Sequence, residues 1–182
     1  TVYLTGALGY KGPEMLRMLR EGAVDASIVT SYHVMGDFPE IGAFGLPMLF
    51  TSPSEVYDGW MATKDIWESE LQAKWNSFPI MYSMYDEQVV TTKKPLFSLD
   101  DLKGQKIRAG SPTQQVMLGE LGASSVIIPF LEQYSSMQRG VVDGCLTGIA
   151  AANSLKFYEV ADHLLYGIGM GGFAPVLIAV SG

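Results

Sequence analysis

The sequence predicts an α/β fold, and three observations support that class. The chain has 182 residues, of which 48% are hydrophobic and 17% charged, as in a folded chain of one large or two small domains. Short β-rich runs alternate with helical segments, the pattern of parallel or mixed sheets flanked by helices. A helix-stop-strand joint occurs twice, as "LREGAVDAS" at 19–27 and "MQRGVVDGC" at 137–145. This repetition indicates two similar lobes, unless it reflects only the ordinary use of glycine to end a helix.

Helix start and stop signals define the elements of the first half. Pro13 in a first turn and Gly22 at the end bracket one helix. Ser52, Pro53 and Glu55 form a capping-box pattern that opens another. The predicted elements are a strand at 1–6, a helix at 12–22, a strand at 24–31, a Pro/Gly-punctuated loop at 36–50, a helix at 52–75 and an extended segment at 80–92.

The second half repeats the same alternation of strand and helix signals. Ser111, Pro112 and Gln114 repeat the capping pattern at the start of a helix. The predicted elements are a turn with a short helical piece at 93–104, a strand at 105–110, a helix at 111–122, a strand at 124–129, a helix at 131–140, a strand at 141–148, a helix at 150–160 and two further extended runs.

Two lobes follow from this order of elements. Lobe I is predicted at 1–104, with 173–182 returning to it, and lobe II at 105–172, with the extended segment at 80–92 as the connection. The chain begins without Met inside a strand-like run and stops without a closing element. We therefore expect a fold that is incomplete at both ends.

Charge and composition exclude several classes of function. A net charge of −7 and a pI near 4.7 argue against a nucleic-acid partner, which needs a basic surface. One cysteine and two distant histidines give no metal-ligand spacing. The glycine-rich run at 167–172 leads into a β-rich segment rather than a helix, so it is not a dinucleotide-binding loop. The sequence thus predicts neither a metal nor a cofactor.

Long motifs in register resemble the extracytoplasmic solute receptors of TRAP transporters, the DctP-like family. The motifs are "GAVDASIVTS", "FPEIGAFGLPMLF", "LKGQKIRAGSP", "PFLEQYSSMQRGVVDG" and "KFYEVADHL", in the same order over nearly the whole chain. The resemblance implies a two-lobe periplasmic binding protein of type II-like architecture, whose lobes close over a small organic acid. It implies a periplasmic receptor without catalytic activity, whose partners are the membrane subunits of a TRAP permease. The fragment would lack the first strand and helix and the C-terminal part of that fold.

Arg108 is the strongest candidate for ligand binding. It ends a predicted strand immediately before a Gly-Ser-Pro helix start, and open α/β sheets place ligands beyond that end of their strands. A guanidinium offers parallel donors that match the two oxygens of a carboxylate. The resemblance points to the same residue, since the arginine of the family's "KIR" motif grips the ligand carboxylate. On composition alone, the alternative is an exposed arginine paired with a nearby acid.

Further polar candidates lie where the sequence departs from the family pattern. Thr147 and Cys145 stand in "VDGCLTG", where relatives read "VDGQENP" with an asparagine that contacts the ligand; Asn153 is a weaker candidate. Relatives that bind sialic acid or C4-dicarboxylates often carry a second arginine in the crossover strand, where this chain has Asp86, Glu87 and Gln88. A monocarboxylate ligand is therefore favoured.

Aromatic residues after predicted strands could line the rest of the pocket. Tyr10, Tyr32 and Phe173 are the candidates, although most aromatic residues in an α/β protein pack in the core. The competing class is an α/β hydrolase or isomerase that acts on an organic acid with Asp86 or Glu87 as the base.

Overall fold

The computed structural model describes residues 1–3, 7–10, 12–166 and 175–182, with the backbone alone at 175–177. The chain divides into two compact units. Unit 1 consists of Thr1–Gly45, Ser52–Tyr85 and Phe173–Gly182, and unit 2 consists of Leu46–Thr51 and Asp86–Gly172.

The division between the units falls at residues 85 and 86 rather than at the predicted boundary, residue 104. The extended segment predicted at 80–92 is two strands, and the second of them pairs inside the sheet of unit 2. Residues 86–104 therefore belong to unit 2, because backbone hydrogen bonds tie them to its strands. Residues 46–51 also belong to unit 2, although the sequence placed them in lobe I.

Unit 1 is built from five described α-helices and three described strands. The helices are α1 (Met15–Arg20), α2 (Ser31–Val34), α3 (Pro39–Gly42), α4 (Pro53–Ala62) and α5 (Lys64–Trp75), and the strands are β1 (Ala26–Thr30), β2 (Ser77–Met84) and β8 (Pro175–Ser181).

The sheet of unit 1 has the order β1-β8-β2, and β8 is antiparallel to both of its neighbours. Buried side chains of α1, β1 and α5 form its core, and the most completely buried are Leu16, Leu19, Val29, Trp67 and Leu71. Burial of this apolar area is the main force that holds the short helices on the sheet.

Two predicted elements of unit 1 differ in the structure. Thr1–Tyr3 form no strand and are exposed, because no described strand pairs with them. The helix predicted at 52–75 breaks at Thr63, whose hydroxyl donates a hydrogen bond to the backbone oxygen of Gly59 at 2.9 Å. Ser52 caps α4 as predicted, since its Oγ accepts a hydrogen bond from the backbone N–H of Glu55.

Unit 2 is built from three described α-helices and five described strands. The helices are α6 (Pro112–Glu120), α7 (Gln133–Gln138) and α8 (Ile149–Ser154), and the strands are β3 (Gln88–Thr92), β4 (Lys106–Ala109), β5 (Ser124–Ile127), β6 (Gly144–Gly148) and β7 (His163–Leu165). The helix predicted at 150–160 ends early, because Lys156 adopts a left-handed conformation with φ of 55°.

The mixed sheet of unit 2 has the order β5-β4-β6-β3-β7. Strand β4 is parallel to both β5 and β6, so the C-terminal ends of these three strands share one edge. Strand β3 is antiparallel to β6 and therefore begins at that edge. We call it the C-terminal edge of unit 2. Apolar clusters cover both faces of the sheet, and the predicted α/β class with mixed sheets is confirmed.

The two repeated joints have the same backbone geometry. Gly22 and Gly140 have φ of 68° and 71°, the left-handed conformation that ends a helix. In each joint the next amide reaches back five residues, from Ala23 to Met18 and from Val141 to Ser136, both at 2.9 Å. Each joint leads into a strand of its own unit.

In the described ranges, no helix has both the length and the apolar character needed to cross a membrane.

Candidate functional site

Arg108 lies near the C-terminal end of β4 and is only 6% exposed. Its Nε donates a hydrogen bond to the backbone oxygen of Ile128 at 2.8 Å, and its Nη1 donates one to that of Leu146 at 3.0 Å. Ile128 follows β5 and Leu146 lies in β6, so both strands that flank β4 hold the guanidinium. Arg108 is therefore not an exposed residue at a strand end.

The start of α6 forms the next part of this environment. A Cβ atom at Gly110 would lie 3.1 and 3.2 Å from Nη1 and Nη2 of Arg108, and 3.2 Å from Oε1 of Gln114. The missing side chain of Gly110 thus lets the guanidinium approach the backbone closely. Ser111 caps α6 as predicted, because its Oγ accepts from the N–H of Gln114 at 3.3 Å. The Oε1 of Gln114 accepts from the N–H of Gly110 at 2.8 Å, one residue before the amide expected for a capping box.

Thr147 lies on the strand next to Arg108. Arg108 pairs with Cys145 across β4 and β6, and Thr147 is two residues nearer the C-terminal edge. Alternate residues of a strand share a face, so Thr147 and Cys145 point to the same side of the sheet. Thr147 is 3% exposed. Its hydroxyl can donate and accept a hydrogen bond, which suits it to a polar ligand group.

Strand β3 brings Gln88 and Glu87 to the same edge. Gln88 pairs with Gly148, and the backbone oxygen of Glu87 accepts a hydrogen bond from the N–H of Ile149 at 3.2 Å. Both Gln88 and Glu87 are half-buried. The structure therefore brings four predicted residues to one edge of one sheet, namely Arg108, Thr147, Gln88 and Glu87.

Asp86 serves as a backbone acceptor at the start of α8. Its Oδ2 accepts a hydrogen bond from the N–H of Ala150 in the first turn of that helix. A carboxylate in this position satisfies a helical amide that has no partner inside the helix. This structural use of Asp86 weighs against the enzyme alternative in which it is the catalytic base.

Of the remaining predicted residues, Asn153 belongs to unit 2, and Tyr10, Tyr32 and Phe173 belong to unit 1. Asn153 is exposed and lines a cavity of about 300 Å³, whose lining includes neither Arg108 nor Thr147. Tyr10 and Tyr32 are half-buried in unit 1, and Tyr32 is the second residue of α2, which begins directly after β1. Phe173 lies outside the described residues. A ligand contact by any of the four remains a prediction.

Phe130 was missed by the sequence analysis. It begins a short 3-10 helix, Phe130–Glu132, two residues after Ile128, the residue that holds Nε of Arg108. Phe130 is 45% exposed, so its ring offers an apolar surface two residues along the chain from the carbonyl group that holds the guanidinium. The signal was available, because an aromatic residue directly after a strand was the reason for choosing Tyr32.

Cys145 is not suited to nucleophilic chemistry. It is fully buried in an apolar cluster with Ile128, Met137 and Phe157. Burial raises the pKa of the thiol to about 12, against the opposing effect of the positive charge of Arg108. The reactive form of cysteine is the thiolate, which is scarcely populated near neutral pH when the pKa is this high.

Within the described ranges, no group of three or more metal-ligating side chains is present.

Comparison with known proteins identifies the family. The profile of the bacterial extracellular solute-binding proteins, family 7 (DctP), matches residues 1–180. A solute-binding protein of Sulfitobacter sp. (strain NAS-14.1) is 32% identical over 168 residues, which are 88% of this chain and 49% of that protein. The chain spans about half the length of the curated relatives that it matches.

Solved structures show the same fold. DctP6, a Bordetella pertussis extracytoplasmic solute receptor binding pyroglutamic acid, has a TM-score of 0.88 at 22% identity, covering 100% of this chain and 59% of that one. A TRAP periplasmic solute-binding protein from Chromohalobacter salexigens with bound D-glucuronate has a TM-score of 0.85 at 23% identity, covering 100% of this chain and 60% of that one. The match to the family profile confirms the family predicted from the sequence motifs. The chain belongs to family 7 of the bacterial extracellular solute-binding proteins, the DctP family.

Proposed function

We propose that the chain is part of an extracytoplasmic receptor that binds a small organic acid through Arg108 and delivers it to a TRAP-type secondary transporter. The observation that carries the proposal is the fixed guanidinium at the C-terminal edge of unit 2, held by the carbonyl oxygens of Ile128 and Leu146. Such a group is preorganised for a carboxylate, because its orientation is set before the ligand arrives.

The ligand is a monocarboxylate whose remaining polar groups are uncharged. Thr147 and Gln88 offer a hydroxyl and an amide at the same edge, and Glu87 adds a carboxylate there. Hydroxyl groups of a ligand can donate to an acid and exchange hydrogen bonds with an amide. Two structural relatives fit this chemistry, since pyroglutamic acid and D-glucuronate each carry one carboxyl group. The exposed ring of Phe130 adds a candidate apolar contact.

The proposed partners and location are those of a TRAP receptor: it acts in the periplasm and passes its ligand to the membrane subunits of a TRAP permease. The family match and the names of several relatives, TRAP periplasmic solute-binding proteins, support this proposal. The net charge of −7 repels anionic ligands at long range, so a local cation such as Arg108 is needed to hold one.

A ligand screen tests the proposal. The complete protein is heated with pyroglutamate, D-glucuronate, D-galacturonate, L-gulonate and matched dicarboxylates, and the melting temperature is followed with ligand concentration. A receptor is stabilised by RT ln(1 + [L]/Kd), so the shift should grow with concentration for at least one monocarboxylate. The ligand should be recovered chemically unchanged after prolonged incubation. Conversion of the ligand, or no shift with any acid of the panel, contradicts the proposal.

A further inference from the structure

The side chain of Gln114 is 4% exposed and lies beside the guanidinium of Arg108 at the start of α6. We infer that Gln114 is a second ligand-binding residue of this site, whose amide nitrogen Nε2 donates a hydrogen bond to the acid group that Arg108 holds. The inference rests on the proposed function, because it concerns the same site. It goes further by adding a neutral donor, on a residue so far assigned only to the start of a helix.

The orientation of the Gln114 amide is fixed by the loop that precedes α6. Its Oε1 accepts a hydrogen bond from the N–H of Gly110 at 2.8 Å, and in an amide only the oxygen can accept from such a donor. Nε2 therefore occupies the other branch of the amide group. The backbone N–H of Gln114 donates to Oγ of Ser111 at 3.3 Å, so the backbone of the residue is held as well.

The nitrogen Nε2 has no acceptor among the described residues. The hydrogen bond from Gly110 is the one in which the Gln114 side chain takes part within those ranges, and Nε2 keeps some access to solvent. An amide NH2 group carries two donors, and polar atoms of a residue buried this deeply normally have partners. The acceptor for Nε2 therefore comes from outside these residues, and a bound acid can supply it.

The space beside Gly110 brings this amide close to Arg108. Oε1 of Gln114 and the Nη1 and Nη2 atoms of Arg108 lie 3.2, 3.1 and 3.2 Å from the position that a Cβ atom of Gly110 would take. Any two of these atoms are therefore separated by no more than about two hydrogen-bond lengths. Nε2 is bonded to the same carbon as Oε1, so it is only one amide group further away.

This spacing suits a single carboxylate that lies between the two side chains. Two donors that bind opposite oxygens of one carboxylate stand up to roughly three hydrogen-bond lengths apart. An ionised carboxylate has about four lone-pair sites, so it can accept from the guanidinium and from the amide at the same time. The guanidinium supplies the charge, and the amide adds a directional contact that a ligand with a carboxamide in place of the acid would meet with another N–H.

A purely structural role of Gln114 predicts a different outcome. If its side chain only holds the N–H of Gly110, then any substitution that loosens the start of α6 should weaken ligand binding in the same way. Ser111→Ala is the matched control, because it removes the other side-chain hydrogen bond at this start and leaves the Gln114 amide in place. Gln115→Met controls for the chemical change, since Nε2 of Gln115 donates to the backbone oxygen of Ser125 instead.

The experiment measures dissociation constants of the complete protein for pyroglutamate, D-glucuronate, D-galacturonate and L-gulonate. Gln114→Met replaces the amide by an apolar side chain of similar length. We expect this variant to lose about tenfold in affinity for the acid that binds, because a hydrogen bond to a charged group is lost. Ser111→Ala and Gln115→Met should keep the affinity of the unsubstituted protein.

Nuclear magnetic resonance of the unsubstituted protein tests the contact directly. The side-chain NH2 signals of Gln114 and Gln115 are assigned from triple-resonance spectra and followed as the acid is added. The Gln114 signals should move and their exchange with solvent should slow, because the acid covers these protons, whereas the Gln115 signals should stay in place. This measurement does not require any variant to fold.

Three results overturn the inference and leave the proposed function standing, since Arg108 would still hold the acid. They are an unchanged affinity in Gln114→Met, equal losses of affinity in Gln114→Met and Ser111→Ala, and Gln114 signals that stay in place at saturating acid. A failure of the unsubstituted protein to bind any acid of the ligand screen overturns the proposed function and the inference with it.

Discussion

The Nη1 of Arg108 donates a hydrogen bond to the backbone oxygen of Leu146, 3.0 Å away on the neighbouring strand. Together with the bond from Nε to Ile128, this contact makes the ligand-binding candidate a structural member of the sheet as well. The side chain of Arg108 is therefore already fixed in one conformation before a ligand binds, which lowers the entropy cost of binding a carboxylate. It also means that Arg108 cannot be removed without a cost in stability.

Arg108→Ala should abolish the thermal stabilisation by the acid and also destabilise the protein without ligand. The substitution removes a hydrogen bond from each of two buried carbonyl oxygens, at about 1–3 kcal/mol each. Loss of a charge-assisted contact to a carboxylate reduces affinity by about 30-fold or more. Arg108→Lys keeps the charge but not the planar set of donors, so it should recover only part of the affinity. Calorimetric titration and urea unfolding of the complete protein measure the two effects.

Arg139→Ala is the control for Arg108. Arg139 is exposed at the end of α7, where its Nε donates to the backbone oxygen of Ser135 within its own helix. Its removal changes the net charge in the same way but should leave affinity within about twofold, because exposed charges contribute little. Equal losses of affinity in the two variants would contradict the assignment of Arg108 as a ligand-binding residue.

Gln114→Glu should stabilise the protein without ligand and weaken the binding of acids. Gln114 Oε1 and both Nη atoms of Arg108 lie within 3.2 Å of the same point beside Gly110. A carboxylate at position 114 would pair with the guanidinium and compete with the ligand for it. We expect a higher melting temperature without ligand and an affinity lowered by about tenfold. Gln138→Glu, at the exposed end of α7, adds the same charge and should change neither quantity appreciably.

Local sequence signals predicted the elements around the site more reliably than the way they assemble. Ser52 and Ser111 cap helices as expected, and Gly22 and Gly140 end helices in left-handed conformations. These features depend on a few adjacent residues, so a short sequence window contains the necessary information. The position of Arg108 at a strand end could be predicted for the same reason, because it also depends on adjacent residues.

Features that depend on residues distant in sequence could not be predicted from local sequence patterns. The split of the segment at 80–92 depends on which strands each part pairs with, which is a tertiary property. The strand predicted at the N-terminus is absent at Thr1–Tyr3, since β propensity without a partner strand does not form a strand. The role of Asp86 depends on an amide 64 residues away in sequence.

Cys145 should be unreactive in the folded protein. With a pKa of about 12, the thiolate fraction at pH 8 is about 10⁻⁴. A disulfide reagent such as Ellman's reagent should therefore modify Cys145 only after unfolding in guanidinium chloride. The raised pKa also has a consequence for stability, because an unfolded thiol loses its proton first. The free energy of unfolding should fall as the pH rises above about 9. Rapid modification of the native protein at pH 8 contradicts the buried position.

Gly148→Ala should destabilise unit 2, although its backbone conformation suits any residue. Gly148 has φ of −65° and ψ of 147°, so alanine meets no backbone strain. Its Cβ, however, would lie 2.5 Å from Oδ1 of Asp86 and displace the carboxylate from the N–H of Ala150. We expect a loss of about 1–3 kcal/mol in the free energy of unfolding, measured by urea titration.

Gly119→Ala is also a glycine-to-alanine substitution, but it should stabilise the protein. Gly119 lies inside α6, and apart from its chain neighbours and the backbone of its own helix, no atom lies within 4 Å of the position that a Cβ would take. Alanine in a helix interior is more stable than glycine by about 0.5–1 kcal/mol, so this variant should be stabilised. The double variant Gly148→Ala with Asp86→Ala should lose less than the two single losses combined, because the steric conflict no longer exists. Additive losses would show that Asp86 does not occupy the space beside Gly148.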